Sequence, residues 1–427
     1  MTGNSSEDGL LFVHAADLHL GSPFVGVSEV SEDIAALLQR ATFTAFENVV
    51  DLCIERRADF LLVAGDVYDG CDRSLGAQLA FRNGLRKLAE AGTRSYVVHG
   101  NHDPLDGWAS SLEWPEGVHV FRAQLESVTY ARDGQDRAVI HGVSFPHVEV
   151  RENLATQFHA ADSPLPQIGL LHCNVGANTG HEPYAPCTVE DLTAAGMDYW
   201  ALGHVHTRAV LSAEKPTAIY PGNTQGRHVN EAGPRGCYVV HIDRDRHVQA
   251  EFAPVDAARW SCEAIDISPF ETDEHLLSAI EDAVRAQPRA SEGRPTLCTL
   301  ALTGRGPLHA HLMHPNYVQD LLEEARRLGH VQDTLVWITR IEDRTRMPLD
   351  RQQRSQSEDI VGGLLRIIDD YRLHPEKLGE PPECLKPLLE HRACRWYVQA
   401  PSAQELLALL EDAEACCLDR LLKEDGA

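Results

Sequence analysis

A chain of 427 residues, 43% apolar and 24% charged, is too long for one ordinary core and has the make-up of a globular protein of roughly two or three domains. No apolar run approaches the ~20 residues that span a bilayer, and a net charge of −26 excludes the broad basic surface of a stand-alone nucleic-acid binder. The 11 cysteines form no C-x-x-C pair, which speaks against a zinc ribbon or disulfide scaffold and predicts a reducing, cytoplasmic setting. The start, MTGNSSEDGL, has neither the basic n-region nor the apolar h-region of a signal peptide.

In chain order, strand Leu10–Val13 runs into Asp17-Leu-His19. Ser31–Arg57 reads as a helix, with Ser31 as N-cap and Glu32 and Asp33 in the first turn. Ile34, Leu37, Leu38, Ala41, Ala45, Val49 and Cys53 give it one apolar face. Strand Phe60–Val63 leads to Gly65-Asp66 and on to Asp69. A second helix, about Leu75–Glu90, ends near Gly92, and strand Tyr96–Val98 ends at Gly100-Asn101-His102-Asp103. This β-α-β-α-β order predicts parallel strands with helices packed on the sheet.

Short strands with polar turns such as Asp133-Gly134 fill Val118–Phe145. Strand Ile168–Leu171 leads to His172, followed by a loop over Asn174–Cys187 and a short helix over Val189–Ala195. Strand Tyr199–Leu202 leads to Gly203-His204-Val205-His206. Ala218–Tyr220 and Cys237–Ile242 close a mostly β half around the Gly-rich loop Pro221–Arg235, and the first domain is expected over 1–254. A small α+β domain follows over 258–341: strand Cys262–Ile267, helix His275–Ala286, loop Pro288–Pro295, strand Leu297–Leu302, helix Val318–Leu328 and strand Thr334–Thr339. Residues 342–427 read as helical, with apolar stripes in Glu358–Tyr371 and Ala403–Leu422. The Ala403–Leu422 stripe is read either as ordinary packing or as a docking surface for a partner's helices.

Five apolar runs thus end in Asp, Asn or His, and an α/β sheet puts its chemistry at such strand ends. Asp17, His19, Asp66, Asn101, His172, His204 and His206 offer carboxylate, imidazole and amide donors without a thiolate, a set suited to Mn²⁺, Fe²⁺ or Zn²⁺, with Mn²⁺ favoured by the oxygen share. Seven donors are too many for one ion and about right for two, with Asp66 as the shared carboxylate. Two ions roughly 3.5–4 Å apart can hold a water, lower its pKa and neutralise a phosphoryl oxygen. His102, on a turn beside a proposed ligand, is placed to donate a proton or hydrogen bond to a phosphate. Asp103 could fix the His102 tautomer or cap the next helix. His14 and His99 are read as core or supporting residues, and His181 and His228, in loops, as candidates for substrate contact.

D-x-H, GD-x-x-D, GNHD, a lone His after an apolar strand, and GH-x-H, in this order over Asp17–His206, resemble the calcineurin-like metallophosphoesterases. Ala16–Gly21, Tyr184–Thr188, Asp198–His206 and the Pro221–Gly226 loop are similar to the SbcD/YhaO-type DNA repair exonuclease subunits. The resemblance implies a four-layered α/β sandwich with two manganese ions at one edge. Asp17, His19, Asp66 and His206 would hold one ion, and Asp66, Asn101, His172 and His204 the other. His102 would assist the transition state. It also implies a small α+β capping domain and a C-terminal helical region that docks on a coiled-coil SbcC/YhaN-like ATPase, which could supply the DNA-binding surface that the acidic chain lacks. A homodimer is a further expectation. The expected function is a dimetal phosphodiester hydrolase acting on DNA. The alternatives are a small-molecule phosphodiesterase or phosphatase of the same chemistry and, in another class, a non-catalytic DNA-end scaffold.

Overall fold

The structure is a computed structural model and describes residues 9–25, 32–69, 74–107, 112–176, 182–378, 387 and 401–424. Ser31 and His181 lie outside the described residues. By internal contacts the chain forms two compact units, Met1–Ser261 with Ser291–Leu297, and Cys262–Ala290 with Cys298–Ala427.

The first unit is built on two six-stranded sheets. In chain order its elements are β1 (Leu10–Ala15), α1 (Glu32–Arg56), β2 (Phe60–Ala64), α2 (Leu75–Glu90), β3 (Arg94–Val98), β4 (Val118–Val120), β5 (Glu126–Arg132), β6 (Gln135–Val143), β7 (Gln167–His172), α3 (Val189–Ala194), β8 (Tyr199–Gly203), β9 (Ala209–Ser212), β10 (Thr217–Tyr220), β11 (Gly236–Ile242) and β12 (Val248–Pro254). One sheet has the order β12-β11-β1-β2-β3-β4 and the other β5-β6-β7-β8-β10-β9. As the β-α-β-α-β order requires, β1, β2 and β3 are parallel, and so are β7 and β8.

Side-chain alternation along each strand makes the layers. Val13, Leu61, Val63 and Val97 face α1 and α2, where they meet Phe46, Val49, Phe81 and Leu85. Phe12, Phe60, Leu62, Tyr96 and Val98 face the other way, against Tyr130, Ile140, Ile168, Leu170 and Tyr199 of the second sheet. The outer face of that sheet carries Leu171, Trp200 and Leu202 against Leu154, Phe158 and Leu192. Helix, sheet, sheet and helical outer layer are the four layers. Fully burying an aromatic such as Trp200 stabilises by about 2–3 kcal/mol, so these clusters dominate the unit's energetics.

Local signals set the helix ends. Ser74 accepts the Ala77 N–H at the start of α2, and Gly92, at φ 85°, closes it in the left-handed region. Thr188 and Asp191 form a capping box on α3.

The second unit has a three-stranded sheet, β13 (Arg259–Asp266), β14 (Thr296–Thr303) and β15 (Val336–Asp343), in that order. Its helices are α4 (Asp273–Ala290), α5 (His309–Leu312), α6 (Pro315–His330), α7 (Arg351–Ser355), α8 (Ile360–Leu373) and α9 (Ala403–Glu424). Ile280, Val284, Leu300, Leu302, Leu321 and Ile338 share one core, while Val361, Leu365 and Leu418 form a smaller one. Helix α4 runs through Pro288, where the sequence suggests a loop. The proline sits near the helix end, so the backbone bond it forfeits lies close to the fraying terminus.

Candidate metal centre

Parallel pairing aligns the carboxyl ends of β1, β2 and β3, and of β7 and β8, at one edge of the first unit. All seven candidate ligands sit at or just beyond those ends. The backbone there is strained: Asp17 (φ 52°), His19 (φ 43°), Asp66 (φ 52°) and His204 (φ 101°) are in the left-handed region. Each such residue costs about 1–3 kcal/mol, and strain of this kind collects at functional sites. Gly100 lets two strand ends approach: a Cβ there would lie 2.3 Å from Asp66 Oδ1 and 2.7 Å from the His172 ring.

The seven residues form one connected cluster. Asp17 accepts the His204 N–H at 3.0 and 3.2 Å. His19 Nε2 lies 3.1 Å from His206 Nε2. Asn101 Oδ1 lies 3.0 Å from His172 Nε2 and 3.1 Å from His204 Nδ1. Asp66 Oδ2 stands between the groups, 3.8 Å from His19 Nε2 and 3.5 Å from His172 Nε2.

Outer partners decide which nitrogen each imidazole presents. His172 Nδ1 must donate to the Ala64 carbonyl at 2.9 Å, and His204 Nε2 to the Glu182 carbonyl at 2.8 Å, because a carbonyl only accepts. His19 Nδ1 is held by Asp69 at 2.8 Å and His206 Nδ1 by Glu231 at 2.7 Å. The other nitrogen of each ring therefore carries a lone pair, and all four lone pairs converge on Asp66 Oδ2, Asn101 Oδ1 and one another. Acceptors facing acceptors in a buried pocket are what a cation satisfies. The donor set fits two divalent ions, and the groups Asp17, His19, His206 and Asp66, His172, His204 each bring ligand atoms within 4.8 Å of one another.

The electrostatics agree. Burial, followed by the charge of Asp66, pushes the Asp17 carboxyl well above the usual range. Burial alone would raise Asp66 too, but His172, His19 and His102 hold it well below that range. Two buried carboxylates compete to stay ionised, which bound cations would relieve. Burial keeps His19 down to about 4 against the pull of Asp69, so it is a neutral donor at pH 7.

His102 is nearly half exposed, and its Nδ1 lies 2.8 Å from Asp69 Oδ1. Burial pushes its pKa down, but the Asp69 hydrogen bond and the Asp66 charge prevail and raise it to about 9. The carboxylate that holds the His102 ring by Nδ1 is thus Asp69. Asp103, weighed for that role from sequence, accepts instead the backbone N–H of Gly100 at 2.8 Å, Asp66 at 3.2 Å and Val67 at 2.9 Å, and faces His99 Nδ1 at 3.1 Å. It pins two strand ends together. His14 is a core residue, bonded to Tyr199 and Leu202. His228 accepts from Asn230 N–H within its own loop.

Sequence reading missed the residues that brace the ligands. Asp69 stood in the GD-x-x-D motif without a role. Glu231 and Arg235 lie in the 221–235 loop, where Arg235 Nη1 donates to the His206 carbonyl at 2.6 Å and to Asn223 Oδ1 at 3.1 Å. Glu182 contributes a backbone carbonyl, which leaves no side-chain signal.

Residues 10–208 match the calcineurin-like phosphoesterase family, and residues 260–346 the metallophosphoesterase YhaO middle domain. The metallophosphoesterase YhaO of Bacillus subtilis is 35% identical over 416 residues, covering 97% of this chain and 98% of that one. The chain belongs to the YhaO-type calcineurin-like metallophosphoesterases. Members of this superfamily are hydrolases. The DNA double-strand break repair protein Mre11 of Aeropyrum pernix is 28% identical over 248 residues, 52% of this chain and 56% of that one. A dimetal phosphatase from Danio rerio aligns with 58% of this chain and 100% of its own, at 13% identity and a TM-score of 0.34. Among the described residues of this YhaO-type chain, no helix is long and apolar enough to cross a membrane.

Proposed function

We propose that the chain is a two-cation phosphodiesterase that hydrolyses DNA phosphodiesters in DNA repair. The observation that carries this reading is the convergence of four imidazole lone pairs, Asp17, Asp66 and Asn101 on one buried pocket beside the half-exposed His102. Asp17, His19, Asp66 and His206 would hold one cation, and Asp66, Asn101, His172 and His204 the other. The oxygen share and the lack of a thiolate favour Mn²⁺ over Fe²⁺ or Zn²⁺. When bound, the pair supplies an activated water and neutralises charge on the phosphate.

The chain's own residues do the rest. Asp69 holds His102 by Nδ1, which leaves Nε2 to donate to a phosphate oxygen or to the departing alkoxide. Asp103 fixes the β2 and β3 ends so that Asp66 and His102 keep their spacing.

The Mre11 likeness and the SbcD-type motifs support a DNA substrate. A net charge of −26 supports a division of labour in which a coiled-coil SbcC/YhaN-like ATPase brings most of the DNA-binding surface, in the cytoplasm, with the nuclease as a homodimer. Residues 258–341 would cap the catalytic domain and 342–427 would dock on the ATPase, where Ile360, Ile367, Leu373 and Leu409 offer exposed apolar side chains.

The test is hydrolysis of bis-p-nitrophenyl phosphate and of linear duplex DNA by the purified chain, with Mn²⁺ and after chelation. Mn²⁺-dependent cleavage of both supports the reading. Cleavage of the small ester with none of DNA, even with the ATPase present, would move the substrate to a small molecule. Cleavage of neither, with both cations bound, would leave a scaffold.

A further inference from the structure

The loop 221–235 does more than brace His206. It carries Arg227 to the same pocket, and one carboxylate sets both positions. Glu231 Oε1 holds His206 Nδ1 at 2.7 Å, while its Oε2 accepts the Arg227 backbone N–H at 2.7 Å. The Arg227 carbonyl in turn accepts the Val25 N–H at 2.9 Å, from the loop that leaves His19. Arg227 is therefore tied to the ligand framework on both sides of its peptide.

Its side chain is mostly buried, and its guanidinium is under-used. Nη1 lies 3.5 Å from Asp69 Oδ2, at the edge of hydrogen-bond range. The buried Nε has no hydrogen-bond partner among the described residues. A buried, unsatisfied guanidinium N–H is costly unless something else completes it. The same Asp69 holds His102 through its other oxygen, so the guanidinium lies one carboxylate away from the proposed proton donor. Its positive charge is felt by Asp17, His19 and His102 alike. In a chain of net charge −26, a cation kept at this point is conspicuous.

We propose that Arg227 is the substrate-binding cation of this site, taking a non-bridging oxygen of the scissile phosphate through its guanidinium beside His102. This rests on the phosphodiesterase reading above and adds to it the residue that grips the anion. A planar fork of N–H donors suits two phosphate oxygens, where a lysine offers a point charge. The Asp69 contact holds the fork ready without consuming it. A guanidinium is a donor without an acceptor, so Arg227 binds and orients the anion while the proton is left to His102.

The experiment compares the full-length wild type with Arg227→Gln and Arg227→Lys. Three quantities are read: bound Mn²⁺ by mass spectrometry, KM and kcat on bis-p-nitrophenyl phosphate, and the Kd of inorganic phosphate by calorimetry on the Mn²⁺-loaded protein. Loss of one charged hydrogen-bonding group predicts a rise of about 10- to 100-fold in KM and in the phosphate Kd for Arg227→Gln, with bound Mn²⁺ unchanged. Arg227→Lys keeps the charge and should recover part of both losses. If both variants hold Mn²⁺ and bind phosphate within about twofold of wild type, the assignment fails and the hydrolase reading stands. If either variant loses Mn²⁺, Arg227 is a support of the metal pocket and the assignment also fails. If the wild type turns over no ester yet binds phosphate in an Arg227-dependent manner, the anion site stands and the phosphodiesterase reading falls.

Discussion

His19 and His206 face each other through their Nε2 atoms at 3.1 Å, and each has its Nδ1 held by a carboxylate, Asp69 at 2.8 Å and Glu231 at 2.7 Å. A ring that donates from Nδ1 has only a lone pair at Nε2, so the pair repels unless a cation lies between or beside the two nitrogens. The carboxylates also make the rings better donors. Removing one, in Glu231→Ala, should weaken the cation held by His206 by about 10- to 100-fold and leave the cation at His172 and His204 in place. Mn²⁺ titration that distinguishes two binding steps checks this. Two steps of unchanged affinity would mean that Glu231 does not tune the ligand.

Asp66 and His102 should separate by phenotype. Asp66 Oδ2 stands within 4 Å of ligand nitrogens from both groups, at 3.8 and 3.5 Å. Asp66→Ala is expected to lose both cations, not one. His102 is not among the seven proposed ligands, although with His19 and Asp69 it could itself hold an ion. With His102 as a proton donor and not a ligand, His102→Ala should keep full Mn²⁺ occupancy and lose about 10²- to 10⁴-fold in kcat. Metal content measured beside turnover separates the two outcomes, and full occupancy in Asp66→Ala would refute the bridging role.

Gly100 is a third point of sensitivity, and the smallest change reaches it. A methyl there would sit 2.3 Å from Asp66 Oδ1, well inside contact distance. Gly100→Ala must push Asp66 or the β3 end away, which displaces the carboxylate shared by the two ligand groups. The expected result is a folded protein with reduced metal content. Circular dichroism and metal analysis read this together, and wild-type Mn²⁺ content in a folded variant would show that the approach is not needed.

The candidate ligands and their convergence were legible in the sequence because each follows a largely apolar strand, as with Phe60–Ala64 before Asp66 and Gln167–His172. Such strands are buried on both faces and leave a plain signal. Helix α2 was legible over Leu75–Glu90, with Gly92 marking its end, while its N-cap Ser74 emerged only from the structure. Strand β12 was not: Gln249, Ala250 and Glu251 are exposed at the sheet edge, so no apolar period marks it. Asp69 and Glu231 escaped for another reason. Each acts through a histidine distant in sequence, and an isolated Asp or Glu in a polar loop looks like a solvated residue. Asp103 shows the reverse error. Its place beside His102 in the chain suggested a pair, but the turn directs its carboxylate to the backbone N–H groups of Gly100, Asp66 and Val67.

The pH dependence of the fold is set in part by a histidine outside the candidate ligand set. His14 is fully buried in β1, 2.8 Å from the Tyr199 hydroxyl through Nδ1 and 3.2 Å from the Leu202 carbonyl through Nε2. The carbonyl can only accept, so Nε2 donates and Nδ1 accepts from the hydroxyl, which uses both nitrogens of the neutral ring. Burial lowers its pKa from 6.5 to about 3, against a small opposing pull from the Leu202 carbonyl. With the folded value below the unfolded one, the unfolded chain binds the extra proton first. The contribution to stability is complete above pH 6.5 and is lost as pH falls toward 3. At pH 5 the loss from this one group is about 2 kcal/mol. His14→Gln does not titrate in this range, so its β1 amides should lose less protection between pH 8 and pH 5 than those of the wild type, with both proteins stripped of metal. Hydrogen exchange of peptides covering Leu10–Ala15 measures the difference at the strand itself. Equal losses in the two proteins would show that His14 charges without opening the strand, contrary to its buried, doubly bonded setting.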